Sequence, residues 1–194
     1  MISLADKAFT RKGEWTVQMI QRDCKVEDPF DLVRDINAIE EVQKRNASFH
    51  LYRRAYHVLT EAKRVQMFKD LCSQDMDEEE KVKALGEMMN ESHFSCRDFY
   101  ECSSDQLEEL TKLCREAGAL GSRLTGAGWG GCCVSLVRKS DLAGFIDKVY
   151  KFYEEKREKG KELWITDSLD RYLFATSPGQ GACILDPQFT LWHQ

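Results

Sequence analysis

The sequence predicts an α+β fold, a helix-rich domain with a small antiparallel sheet, and three observations carry that expectation. From position 49 onward, apolar residues recur every three or four positions through several successive segments, the period of helices with one buried face. A glycine-dense run at 122–132, Ser-Arg-Leu-Thr-Gly-Ala-Gly-Trp-Gly-Gly-Cys, leads into Cys133-Val-Ser-Leu-Val137, which reads as a buried strand. Near the C-terminal end, Ser177-Pro-Gly-Gln-Gly181 separates two β-suited segments, a hairpin signal. Helices and strands without regular βαβ alternation favour an antiparallel sheet.

The elements follow in order. The first third is polar: a short helix is expected within 7–19 and a turn at Glu27-Asp-Pro-Phe30. Ile36, Ile39 and Val42 give 35–45 a modest amphipathic signal. Phe49, Tyr52, Tyr56, Leu59 and Ala62 then predict one long helix over 47–71. After a loop at 73–77, the acidic residues Asp77 to Glu80 sit where a helix N-terminus favours negative charge, and Val82, Leu85 and Met89 share one face of a helix running to about His93. Ser104 is an N-cap for a helix whose Leu107, Leu110, Leu113 and Cys114 face the core, and Gly118 supplies its left-handed stop. The strongest helical stripe is Leu142, Phe145, Ile146, Val149, Phe152 and Tyr153, within 141–159. Strands are expected at 171–176 and 182–185. No internal repeat or low-complexity segment is evident.

Composition narrows the function classes. A chain of 194 residues with 42% hydrophobic residues can build one substantial domain, or two small ones. The 28 basic and 33 acidic residues leave a net charge of −5, which argues against a nucleic-acid surface. The Lys- and Glu-rich run 148–161 reads as a helix with alternating surface charge. No apolar run reaches membrane-spanning length, and the charge at Asp6 interrupts any signal-peptide core. The eight cysteines are scattered, apart from adjacent Cys132 and Cys133, with no metal-ligand spacing. Reduced and mostly buried thiols in a cytoplasmic protein are the expectation, with no metal site and no membrane association.

Gly126, Gly128 and Gly131 satisfy G-x-G-x-x-G, a weak match by itself. A dinucleotide fold needs a strand before that loop and a helix after it, whereas here a helix is expected before and a strand after. The lysine strand, H-R-D loop and D-F-G of protein kinases are missing, as is G-x-x-x-x-G-K-[ST]. Two readings remain open. Either the glycines let a helix and strand pack closely, or their amides form an anion-binding concavity.

The run Gly121-Ser-Arg-Leu-Thr-Gly-Ala-Gly-Trp-Gly-Gly-Cys132 resembles the third signature motif of the GHMP small-molecule kinases, especially the galactokinase branch. Upstream, Leu85-Gly-Glu-Met-Met-Asn-Glu-Ser-His-Phe-Ser-Cys-Arg-Asp-Phe-Tyr-Glu-Cys102 resembles the region preceding that motif, more closely in N-acetylgalactosamine kinases. Trp129 and the stretch from Cys96 to Cys102 favour that group. The resemblance runs over 52–136 and more loosely to 185; residues 1–48 match poorly. Ser104-Asp-Gln stands where Cys-Pro-Glu is more usual, which preserves capping.

The resemblance implies a single GHMP-kinase-like C-terminal domain over 1–194. In the family the γ-phosphoryl of ATP, with Mg2+, passes to the C1 hydroxyl of galactose or N-acetylgalactosamine, a reaction governed by positioning and electrostatics. The sugar motif, the phosphate loop and the catalytic aspartate and arginine belong to an N-terminal domain that this sequence lacks. No catalytic residue is therefore assigned. By position, Ser122, Arg123, Thr125, Gly126, Ala127, Gly128, Gly130 and Gly131 would border ATP and sugar. Arg123 is either a phosphate contact or a structural ion-pair partner, and the Ser122 and Thr125 hydroxyls are read as holding the loop. The implied partners are a complementary N-terminal kinase half, the sugar and ATP, with no tight cofactor binding by this chain alone. A non-catalytic galactokinase-like sensor is the alternative. A truncated product with an exposed docking face is a third reading.

The remaining polar residues are read structurally. His93 is expected to be a buried, hydrogen-bonded histidine, and His57 sits near the apolar face of the long helix. Asp98 and Glu101 are expected to pair with Arg97, and Asp77 to Glu80 form a solvated helix start.

Overall fold

The computed structural model describes residues 3–9, 11–25, 27, 48–158, 171–177 and 179. The chain divides into two compact units, Met1–Asp141 and Leu142–Gln194.

The first unit opens with two short helices, α1 (Ser3–Ala8) and α2 (Val17–Cys24), where one within 7–19 was expected. The break falls at Trp15, which exchanges two 2.8 Å backbone hydrogen bonds with Phe49. Trp15 is buried, and a long-range bridge with a buried indole outweighs local helix propensity. Thr16 caps α2 by accepting the Met19 amide at 3.3 Å.

The long helix α3 spans Leu51–Ser73. Its buried face is narrower than the spacing suggested: Tyr52 is buried, while Leu59 and Ala62 are exposed. The Tyr52 hydroxyl donates to Asp6 Oδ1 at 3.1 Å, and Lys12 pairs with the same carboxylate at 2.7 Å, which ties α1 to α3.

Helix α4 (Glu78–Ser95) starts as expected, with Asp77 Oδ1 accepting the Glu79 and Glu80 amides at 3.0 Å each. It passes into a π-helical turn, Cys96–Tyr100, closed by Glu101 in the left-handed region (φ 60°). The Cys96 carbonyl gathers the Glu101 amide, the Cys102 amide and the Cys102 thiol. Such turns are frequent beside functional sites. Helix α5 (Asp105–Ala117) has the expected caps: Ser104 Oγ accepts the Leu107 amide at 3.3 Å, and Gly118 is left-handed at φ 118°. Its buried face is Leu107, Thr111, Cys114 and Ala117; Leu110 and Leu113 are only half-buried, because the face is phased on the i, i+4, i+7 line through Thr111.

Strands β1 (Gly121–Thr125) and β2 (Cys132–Leu136) form an antiparallel pair with Leu124 opposite Cys133 and Thr125 opposite Cys132. This is the small antiparallel sheet expected of the α+β class. Two expectations change here. A strand, not a helix, leads directly into the glycines, and β2 is not a buried strand, since Val134 is 47% exposed. Strand β1 is buried at Gly121, Ser122 and Leu124 because α4 and α5 cover it, whereas β2 alternates. Cys96, Cys102, Leu107 and Leu124 form the buried apolar cluster beneath the hairpin.

In the second unit, α6 (Leu142–Glu158) buries Phe145 and Val149, with Leu142, Ile146, Phe152 and Tyr153 half-buried beside them. Residues 171–177 form no strand among the described residues, and the partner expected for them, 182–185, lies outside those residues. The predicted segments 28–30, 35–45 and 182–185 lie outside the described residues. Seven cysteines are described as free thiols. Cys96, Cys102 and Cys114 are buried, Cys133 is half-buried, and Cys24, Cys72 and Cys132 are exposed, so burial is less general than expected. Among the described residues, no helix is long and apolar enough to cross a membrane.

Candidate functional site: the glycine turn of the β1–β2 hairpin

The site is the connection 126–131 and the elements beneath it. Ser122, Arg123 and Thr125 were expected in the loop but belong to β1. The turn proper is Gly-Ala-Gly-Trp-Gly-Gly, and every residue in it except Ala127 has positive φ: 80° at Gly126, 86° at Gly128, 56° at Trp129, 146° at Gly130 and 88° at Gly131. Only glycine adopts such a path without strain. Trp129 is the exception, held there by two contacts. Its amide donates to the Cys102 carbonyl at 2.6 Å, and its indole Nε1 donates to the Glu101 carbonyl at 3.1 Å.

The glycines divide into two kinds. At Gly128 a Cβ would lie 2.2 Å from the Cys102 carbonyl oxygen, so the turn is seated on the segment that follows the π-helical turn. At Gly126, Gly130 and Gly131 a Cβ would meet nothing within 4 Å. Among the described residues, the amides of Gly126, Ala127, Gly128 and Gly130 donate to no backbone carbonyl. Left-handed backbone with uncommitted amides and an open outer surface suits an anion. Close packing thus requires glycine at Gly128, while Gly126, Gly130 and Gly131 face open space.

The seat is braced from α3. Arg53 and Arg54 both reach Glu101, at 2.6 and 2.5 Å, while their remaining nitrogens donate to the Asp98 and Phe99 carbonyls. The Arg54 hydrogen bond holds the Glu101 carboxyl below the usual carboxylate range. Glu101 was expected to pair with Arg97; instead Arg97 takes Asp98 at 2.7 Å and Glu108 at 3.3 Å, because the left-handed Glu101 turns back toward α3. Arg123 forms no ion pair among the described residues, and its Nε donates to the Leu124 carbonyl at 3.2 Å. The Ser122 hydroxyl meets that of Ser135 at 2.9 Å, clamping the hairpin as expected, whereas Thr125 is exposed.

Three residues of α4 on one face, Gly86, Asn90 and His93, take the place of a third strand. Gly86 and Gly121 touch backbone to backbone, with a Cβ on Gly121 falling 2.2 Å from the Gly86 oxygen. Asn90 accepts the Ser122 amide at 2.9 Å and donates to the Leu120 carbonyl at 3.2 Å. His93 Nδ1 accepts the Leu124 amide at 3.2 Å, which leaves Nε2 to carry the proton toward Thr111 Oγ1 at 3.0 Å and Glu108 at 3.1 Å. Burial lowers the His93 pKa, so its ring is a neutral structural acceptor, as expected. His57 meets the Ser95 hydroxyl at 3.0 Å and its pKa is likewise lowered by burial. Asn90 was missed in the sequence, although an asparagine inside a helix, where it is a poor former, is itself a signal of a backbone partner.

Comparison with known proteins finds relatives of this hairpin segment. Residues 67–155 match the model for the C-terminal region of GHMP kinases. That segment is similar to the C-terminal region of GHMP kinases. The chain is 43% identical over 151 residues to the galactokinase of Dictyostelium discoideum, covering 71% of this chain and 30% of that one. It is 37% identical over 139 residues to the galactokinase of Saccharomyces cerevisiae, covering 70% and 26%. The crystal structure of Lactococcus lactis galactokinase complexed with galactose aligns with a TM-score of 0.49 at 27% identity, covering 73% of this chain and 35% of that chain. The chain thus spans about a third or less of these relatives.

The glycine turn is a backbone platform seated on 101–102. Among the described residues, no three His, Cys, Asp or Glu side chains converge as a metal site. The two kinds of turn glycine should separate under mutation. Gly126→Ala meets open space and carries only the left-handed penalty of about 1–2 kcal/mol. Gly128→Ala adds a backbone clash that costs a further ~1–3 kcal/mol. Urea unfolding of the two variants is expected to rank Gly128→Ala clearly lower; equal midpoints would mean that the turn is not seated on Cys102.

Proposed function

We propose that this chain is the C-terminal part of an ATP-dependent sugar kinase that phosphorylates galactose or N-acetylgalactosamine at its C1 hydroxyl. The observation that carries this reading is the outward-open glycine turn, within a segment similar to galactokinases along its length. The residue assignment narrows to Gly126, Ala127, Gly128, Gly130 and Gly131 as the border of ATP phosphates and sugar, with Ser122, Arg123 and Thr125 supporting them from β1. Bound ATP with Mg2+ supplies the phosphoryl group and the charge that must be stabilised. This chain's contribution is preorganised amide polarity: the turn is already fixed by Trp129, Gly128 and the Arg53–Glu101–Arg54 brace, so no reorganisation accompanies binding. The phosphate loop, the magnesium ligand and the catalytic aspartate and arginine come from a complementary N-terminal part, and 1–194 acts as one C-terminal portion in the cytoplasm. Trp129 and the stretch from Cys96 to Cys102 favour the N-acetylgalactosamine branch.

The test is ADP release by the purified chain with ATP, magnesium and each sugar, alone and after adding the N-terminal part of a galactokinase. Silence alone and sugar-dependent turnover on complementation are expected. Turnover by the chain alone would overturn the partial-enzyme reading. A folded, silent complex that still binds sugar would point to a non-catalytic sensor.

A further inference from the structure

Cys114 lies on the buried face of α5 and Cys133 on β2, with their sulfurs 4.0 Å apart. The Ser122 and Ser135 hydroxyls, 2.9 Å apart, join the two strands behind the glycine turn and bear on the charge of both thiols. The contact with Cys133 draws the Cys114 pKa down to about 6 against the opposing effect of burial. The Cys133 thiol moves the other way, so the two sulfurs titrate as a pair. A thiolate stabilised in this manner is the form that attacks peroxides, and a second sulfur within reach is what resolves the product. Cys133 is half-buried, which gives a small oxidant a route to the cluster. The buried pair Cys96 and Cys102 lacks these features: burial pushes the Cys96 thiol up, and the Cys102 thiol is occupied by the Cys96 carbonyl.

We propose that Cys114 and Cys133 are a peroxide-sensitive thiol pair that closes to a disulfide between α5 and β2. The Cys114 thiolate attacks hydrogen peroxide, forming an S–O bond as the O–O bond breaks, and the departing hydroxide takes up the thiol's lost proton as water. Cys133 sulfur then displaces the sulfenic hydroxyl, forming the S–S bond, and its proton leaves with that hydroxyl as a second water. Two thiols are oxidised and one peroxide is reduced. Closure to the roughly 2.05 Å of a disulfide requires the sulfurs to approach by about 2 Å. The bond joins α5 to the strand that leaves the glycine turn and stiffens the hairpin. The proposal stands on thiol geometry and not on the kinase reading.

The test treats the reduced full-length chain with equimolar hydrogen peroxide, blocks remaining thiols by alkylation, and maps peptides without reduction. The expected product is lighter by about 2 Da, the loss of two hydrogens, with Cys114 linked to Cys133 and reversal by dithiothreitol. It should form unchanged in Cys132→Ser. Cys133→Ser should instead accumulate a Cys114 sulfenic acid that dimedone traps. Mapping of the unaltered chain decides the matter even if a variant fails to fold. A linkage through Cys132, or Cys114 and Cys133 both remaining alkylatable after peroxide, overturns the proposal.

Discussion

Gly86→Ala is expected to destabilise the chain, although alanine is the better helix former by about 1 kcal/mol. An ideal Cβ at Gly86 would lie 2.5 Å from both the carbonyl carbon and the carbonyl oxygen of Leu120, atoms of the main chain that no rotamer change can move aside. Overpacking of this kind costs roughly 1–3 kcal/mol and occasionally more, so the clash outweighs the gain in propensity. The displaced strand would also draw the Ser122 and Leu124 amides away from Asn90 and His93, which adds to the loss. Gly86→Val is expected to be worse, since valine adds volume and loses the helical advantage. Gly144, in α6, is the matched control: a Cβ there meets nothing within 4 Å, so Gly144→Ala should stabilise by up to ~1 kcal/mol. Denaturant unfolding of the two alanine variants tests the argument directly. Shifts of the same sign would mean that backbone contact between α4 and β1 is not what requires glycine.

His93→Leu is the second large effect expected. Leucine keeps much of the volume but removes the acceptor for the Leu124 amide, a buried donor whose orphaning costs about 1–3 kcal/mol. It also removes a partner of Thr111, which is fully buried. The native histidine gives the stability a pH dependence of defined sign. Burial holds the folded-state pKa of His93 and His57 below the ordinary value, so between the two values the unfolded chain binds more protons. Stability is then fully present above about pH 6.5, the ordinary histidine value, and falls as pH drops toward the folded-state pKa values. Protonating His93 at Nδ1 also removes its capacity to accept the Leu124 amide. Urea midpoints between pH 8 and 5 should show a decline that His93→Gln makes shallower. A flat profile in the native chain, or an unchanged slope in the variant, would remove His93 from the account.

Much of this architecture was legible along the chain. Helices α3 to α6 repeat their apolar residues at helical spacing, and the ends of α4 and α5 carry residues whose capping chemistry is local: Asp77, Ser104 and Gly118 each act where they stand. The glycine turn was equally plain, because only a backbone that must enter the left-handed region concentrates four glycines in six positions. The division of labour among those glycines was not legible. Whether a Cβ meets the Cys102 carbonyl or open space depends on a segment folded elsewhere.

Helices α3 to α6, the caps of α4 and α5 and the position of the turn are written locally, since each depends on residues within a few positions of one another. Long-range contacts make 121–125 a strand, turn Glu101 to Arg53 and Arg54, and let Trp15 interrupt the N-terminal helix. A strand is defined by the partners of its amides. Here those partners are β2 on one edge and the Asn90 and His93 side chains on the other, contributed by distant parts of the chain. Local periodicity records which face of a segment is apolar; it carries no record of which remote group will satisfy each buried N–H.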